Sequence, residues 1–192
     1  MARPRKFDVE TVTDSILEEF WSNSFAGTST EDLCTRTGLS RSSLYNTFRS
    51  KADAYQQALE RYYRLKETER SRYADLPGTG RELVEQLMND VISGQLAEED
   101  RRICLVVHAC VEIGKSDPEV AALAEKSLNG FEDLIATLVQ RGQDDGSINT
   151  DCSARDLAGT LHAVINGLQV RERVSSTDAH ARRIIQAAMS LF

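Results

Sequence analysis

Residues 27–54 read GTSTEDLCTRTGLSRSSLYNTFRSKADA, and the fold turns on this stretch. Two short helical segments flank the tripeptide Gly38, Leu39, Ser40. Glycine gives such a turn its backbone freedom, and serine caps the helix that follows. Upstream, Thr28 with Glu31, or Ser29 with Asp32, has capping-box spacing and opens a helix that runs to Thr37. The next helix covers about residues 41–48 and turns Leu44 and Phe48 inward at i and i+4. Arg41, Ser42, Ser43, Tyr45, Asn46 and Thr47 are left more outward, on a polar face without a carboxylate. Two helices about such a turn form a helix-turn-helix, with the second helix carried clear of the core.

Outward from this motif, helical spacing continues in both directions. Val9, Val12, Ile16, Leu17 and Phe20 form one apolar stripe on a first helix from Asp8 to about Asn23, with Gly27 at its exit. Ser50 and Asp53 repeat the capping-box spacing at the head of a fourth helix, which carries Ala54, Ala58, Tyr62 and Leu65 towards Ala74. Pro77, Gly78 and Gly80 make Leu76 to Gly80 the breaker-rich segment, and a soft domain boundary is placed near it. Five further helices are expected over about residues 81–94, 98–114, 118–142, 153–175 and 178–191. Alternating β-branched runs with tight hairpin turns are almost absent. The expectation is an all-α protein of about nine helices.

The chain has 192 residues, 41% of them apolar and 28% charged, with three prolines, a composition that folds and buries a core. Its longest apolar run, Ile103 to Val111, is about half of the roughly 20 residues a membrane span needs. The basic N-terminus is not followed by an apolar signal core, so a cytoplasmic protein without a membrane partner is expected. Cys34, Cys104, Cys110 and Cys152 form no CxxC pair, and neither a structural metal nor a disulfide framework is expected. P-loop, GxGxxG, HExxH, GxSxG and Glu-x-x-His patterns are missing, which argues against an enzyme and against a cofactor.

Net charge is −7, but it is uneven. Residues 1–74 hold 12 Lys and Arg against 11 Asp and Glu, whereas residues 75–192 hold 11 against 19. A DNA duplex carries one negative charge per about 1.7 Å of axis, so an acid-free local face outweighs a global excess of acid. Nucleic acid therefore stays open as a partner of the first part.

The stretch from Gly27 to Ala54 resembles the N-terminal helix-turn-helix of TetR-type transcriptional regulators. The likeness lies in the threonine pair before the second helix, the Gly-x-Ser turn, the Leu-Tyr-x-x-Phe core of the third helix and the Ser-Lys start of the fourth. It is firm over about residues 7–62 and extends beyond as an overall pattern. It implies a DNA-binding domain over residues 1–52, with a basic arm in 1–7, and an effector-binding and dimerisation domain over 53–192. It implies Arg41, Ser42 and Ser43 as base-facing residues, and Thr28, Thr30, Tyr45 and Lys51 as phosphate contacts. Asn46 and Thr47 stand where an aromatic and a histidine are common in the family, and their short polar side chains remain able to bond phosphate. Arg3, Arg5 and Lys6 form an arm suited to a minor groove or a phosphate strand.

The resemblance also implies a repressor that binds a pseudo-palindrome as a homodimer and is released by a small-molecule effector or by thiol modification. Wide apolar stripes on the last two helices suit a dimer interface: Leu157, Leu161, Val164, Ile165 and Leu168 on one, Ile184, Ile185, Ala188 and Leu191 on the other. An ordinary core explains part of the same pattern. Cys104 and His108 stand at i and i+4, where an imidazole lowers a thiol pKa and makes it reactive; buried core residues fit the same positions. Tyr62 and His162 are further effector candidates, and each also suits the core. The competing class is a helical ligand-binding or interaction protein that does not touch DNA.

Overall fold

The computed structural model describes residues 7–175, 177 and 179–192. Among these the regular structure is helical: α1 Val9–Gly27, α2 Thr30–Thr37, α3 Arg41–Thr47, α4 Lys51–Ser71, α5 Gly80–Ala97, α6 Leu105–Glu112, α7 Pro118–Asp144, α8 Ala154–Glu172 and α9 Ala179–Met189. A 3-10 turn at Arg72–Asp75 closes α4. None of the described helices is long and apolar enough to cross a membrane. The expected start of α9 at Asp178 and the basic residues Arg3, Arg5 and Lys6 lie outside the described residues.

The chain divides into two compact units: residues up to Leu65 with Leu105–Glu125, and Lys66–Cys104 with Lys126–Phe192. The division runs through α4 and α7, rather than at residue 52 or in the Leu76–Gly80 segment. The first unit thus adds α6 to the expected DNA-binding helices. Its core joins Ile16 and Phe20 of α1, Leu33 of α2, Leu44 and Phe48 at α3, and Tyr55 and Leu59 of α4, each at most 2% exposed. Phe20 and Phe25 both meet the Tyr55 ring edge-on, at 5.0 and 5.1 Å. Arg61 of α4 reaches both carboxylate oxygens of Asp14, at 2.7 and 3.1 Å, and so ties α4 to α1.

The second unit buries Leu83, Leu87 and Met88 of α5, Phe131, Ile135 and Leu138 of α7, Leu161, Ile165 and Leu168 of α8, and Ile185 and Met189 of α9. α5 begins so close to α7 that a Cβ on Gly80 would stand 2.1 Å from the Gly142 nitrogen and 2.4 Å from the Leu138 carbonyl oxygen. Only glycine fits between these backbones.

The expected helix over residues 98–114 is corrected. α5 runs on to Ala97, residues 101–104 are not helical, and α6 begins at Leu105. The cause is non-local. Arg101 adopts a left-handed backbone, φ 46°, and its carbonyl accepts from Gln95 Nε2 at 3.1 Å. The same amide donates to the Gln169 carbonyl at 2.8 Å, and the Arg101 guanidinium donates to the carbonyls of Glu172 and Ser175. These bonds to the end of α8 replace a helical turn.

Two glycine substitutions have opposite expected effects. Gly80→Ala forces backbone apart and lowers unfolding free energy by about 1–3 kcal/mol. Gly94→Ala, near the end of α5 with nothing within 4 Å of the added carbon, raises it by up to about 0.5 kcal/mol through helix propensity. Urea unfolding of both variants checks the pair.

Candidate nucleic-acid interface

The motif is assembled by local caps. Ser29 caps α2 through a reciprocal box with Asp32: Asp32 N donates to Ser29 Oγ at 3.2 Å, and Ser29 N donates to the Asp32 carboxylate at 2.7 Å. Of the two spacings open in the sequence, Ser29 with Asp32 is the one used. Gly38 ends α2 in the left-handed region, φ 68°. Ser40 then caps α3 by accepting from Ser43 N at 3.2 Å. Leu44 and Phe48 are buried as the spacing requires, while Arg41, Ser42, Tyr45 and Asn46 are exposed and Ser43 and Thr47 half-buried.

The exposed face is internally ordered. Tyr45 Oη lies 3.1 Å from Thr30 Oγ1, which joins α3 to the first turn of α2. This hydrogen bond, with the Arg41 guanidinium 5.8 Å from the Tyr45 ring centre, holds the phenol below its ordinary pKa. The Thr47 hydroxyl donates to the Ser43 carbonyl at 3.0 Å and keeps its oxygen as an acceptor. Ser40 Oγ bonds both Ser42 Oγ and Ser43 Oγ, at 3.1 and 3.0 Å. The carboxylates flanking the face are folded onto backbone: Asp32 on Ser29, and Asp53 on the Arg49 amide at 2.8 Å.

Two expected phosphate contacts are placed differently. Thr28 is 1% exposed and its hydroxyl donates to the Ser24 carbonyl at 2.7 Å, so its side chain faces inward rather than towards a phosphate. Lys51 is half-buried, and its ammonium donates to the carbonyls of Phe25 and Thr28 at 2.8 and 2.7 Å, 4.3 Å from the Phe25 ring centre. Both reflect a feature without a local sequence signal. α1 breaks at Ser24, φ 67° and ψ 171°, a region natural to glycine that costs another residue about 1–3 kcal/mol. Past the break, the amides of Phe25 and Ala26 donate to the Glu112 carboxylate of α6 at 2.9 and 2.6 Å.

The effector candidates separate. Cys104 immediately precedes α6 and His108 lies within it, so the two are not one turn apart inside a single unbroken helix. Cys104 and Cys34 are half-buried, whereas Cys110 and Cys152 are exposed rather than core. Tyr62 is core in the first unit, edge-on to Trp21 at 5.2 Å. His162 is buried in the second unit, edge-on to Phe131 at 5.0 Å, with Nδ1 3.3 Å from Glu132 Oε1. Burial pushes its pKa below the ordinary value of 6.5, against the opposing pull of Glu132.

Of the nine dimer candidates, Leu157, Leu161, Ile165, Leu168, Ile185 and Ala188 are buried in the core of their own unit. These side chains belong to one core cluster with residues of α5 and α7. Val164 is half-buried; Ile184 and Leu191 are exposed, as are Val170 and Val174 near the end of α8.

Family models match at both ends of the chain: "Bacterial regulatory proteins, tetR family" over residues 12–58 and "Tetracyclin repressor-like, C-terminal domain" over residues 75–188. YezE, an uncharacterized HTH-type transcriptional regulator of Bacillus subtilis (strain 168), is 28% identical over 157 residues, covering 80% of this chain and 81% of its own. A cysteine mutant of the TetR family regulator CifR, solved with 26-bp double-strand operator DNA, is 25% identical with a TM-score of 0.86, covering 99% of this chain and 100% of its own. The reduced form of E. coli NemR shares the fold at 17% identity, with a TM-score of 0.82 over 93% of this chain and 95% of its own.

The buried imidazole gives a pH-dependent stability. With its folded pKa depressed, His162 contributes nothing unfavourable above pH 6.5; below that value protons bind the unfolded chain first and stability falls. The urea midpoint should therefore drop between pH 7.5 and 5.5, and the drop should shrink in His162→Leu. An equal drop in that variant would assign the effect to other groups.

Proposed function

Since the chain belongs to the TetR family of bacterial transcriptional regulators, we propose that it is a homodimeric repressor that reads a pseudo-palindromic operator with α3. The observation that supports this most is the exposed, acid-free face of Arg41, Ser42, Tyr45 and Asn46, held outward by the burial of Leu44 and Phe48. Arg41 suits bidentate pairing with a guanine, and Ser42 and Ser43 stand beside it for the neighbouring bases. Thr30, Tyr45 and Asn46 carry hydroxyl or amide donors for phosphates, which fix register without specifying sequence; Thr47 joins them only when its hydroxyl leaves the Ser43 carbonyl. Lys51 retains one N–H beyond the two carbonyls it holds.

Two recognition helices must meet successive major grooves about 34 Å apart, so a twofold dimer is required. Its interface is assigned to the apolar side chains left exposed on α8 and α9 and just past their ends, Val170, Val174, Ile184 and Leu191. Release is assigned to a small-molecule effector or to thiol modification, and His162, packed on Phe131 and bonded to Glu132, suits the core better than an effector contact. CifR was solved on operator DNA, which supports the same partner here. The reading assigns the chain no catalysis, and a DNA partner makes the cytoplasm its compartment.

Selection of duplexes from a random pool, followed by anisotropy titration at several salt concentrations, tests it. A palindrome should emerge, with binding that weakens steeply as salt rises. Arg41→Ala should relax preference at one base step, at a cost of about 1–3 kcal/mol, and Tyr45→Phe should weaken all sequences alike. A dimer that enriches no duplex would point instead to a helical ligand-binding protein independent of DNA.

A further inference from the structure

We infer that Glu112, at the C-terminal end of α6, is a positioning residue for DNA reading: its carboxylate fixes the break in α1 from which the α2–α3 motif departs. The inference rests on the DNA-reading role of α3 and names a residue that sets it. At Ser24 the backbone leaves the helical region, so the Phe25 and Ala26 amides lose the acceptors a continuous helix supplies. Glu112 gives one oxygen to each, Oε2 to Phe25 N at 2.9 Å and Oε1 to Ala26 N at 2.6 Å, across 87 and 86 residues of chain. Lys51 Nζ holds the carbonyl side of the same segment, at Phe25 and Thr28. A carboxylate and an ammonium thus grip one short stretch of backbone by its opposite polar groups. Thr28 precedes Ser29, the cap of α2, so the orientation of the motif starts from this stretch.

Two further observations place α6 in the reading unit. Gln56 of α4 donates to both oxygens of Asp117, at 3.2 and 3.1 Å, and Asp117 in turn caps α7 through Glu119 N and Val120 N. The residues on both sides of the α6–α7 connection are therefore tied to α1 and α4. Tyr55, fully buried against Phe20 and Phe25, keeps a hydroxyl without a partner, and burial first, then the Glu112 charge, pushes its pKa up.

Loss of Glu112 loosens this segment without unfolding it. Ala26 is exposed and Phe25 only half-buried, so water reaches the released amides, while the apolar anchors Leu33, Leu44 and Phe48 are untouched. What suffers is the fixed direction of α3, and recognition depends on side chains held within about 0.5 Å and 10–20° of their working positions.

The test compares Glu112→Gln, which keeps one acceptor oxygen and loses the charge, with Glu112→Ala and with Glu125→Gln on an exposed carboxylate of the same unit. Three quantities are read: affinity for the duplex selected by the unsubstituted protein, melting temperature, and amide exchange in the DNA-free protein. Glu112→Ala should weaken binding by about tenfold or more, since charge-assisted bonds are the strong ones. Glu112→Gln should lie between, and Glu125→Gln should match the unsubstituted chain. Exchange should quicken at Phe25, Ala26 and the α3 amides, while the melting temperature moves by only a few degrees. Unchanged affinity and unchanged α3 exchange in Glu112→Ala would overturn the inference. If Glu112→Ala fails to fold, the same readings on Glu112→Gln decide. If the unsubstituted protein selects no duplex, the DNA-reading role fails on its own, and α3 exchange in the free protein still decides whether Glu112 positions the motif.

Discussion

A helix of seven residues has no stability of its own in water; isolated helices are marginal below about 12–15 residues. α3 therefore exists because Leu44 and Phe48, one turn apart, are buried with Leu33 and Ala54. Full burial of such side chains is worth about 1.5–3 kcal/mol each, which is enough to offset an unfavourable nucleus. Caps do the remainder, with Ser40 before the helix and the Phe48 amide bonded back to the Leu44 carbonyl at 2.8 Å. With two inward residues holding the helix, the outward positions are not needed for the core, although Tyr45 also ties α3 to Thr30. Arg41, Ser42 and Asn46 are exposed and add nothing to this buried anchor.

Electrostatics fits the same division. An acidic chain is a poor polyanion ligand on average, yet its acid excess lies beyond residue 74. Near α3, Asp32 and Asp53 are bonded to backbone amides at helix starts, where their charge is stabilising. The exposed tyrosine of the face is ordered by Thr30 and by Arg41 before any ligand arrives. Such preorganisation lowers the ordering cost of binding.

Much of this was legible in the sequence because the determinants are local. Capping pairs located the starts of α2, α3 and α4 closely, and an i, i+4 pair told which face of α3 is inside. Where the determinants are non-local, the reading failed in specific ways. A helical stripe looks the same whether it meets its own core or a second copy, so the sequence leaves Leu161 and Ile165 of α8 open to both, and they are buried in the core of their own unit. The pairing of Cys104 with His108 rests on an unbroken helix, and Arg101 breaks it through bonds to Gln95 and the end of α8, which lie outside the segment. Thr28 was expected to face DNA, but a break four residues upstream turns it inward. The Glu112 clasp joins residues more than eighty positions apart and leaves no periodic trace.

The central claim is that the polar face of α3 is the surface that meets DNA. The most direct measurement is a titration of the isotopically labelled protein with its selected duplex, followed by amide chemical shifts. The largest changes should fall on Thr30 and on Arg41 through Asn46, in proportion to occupancy and reversed by high salt. Changes concentrated elsewhere, with these amides unmoved at saturation, would contradict the claim.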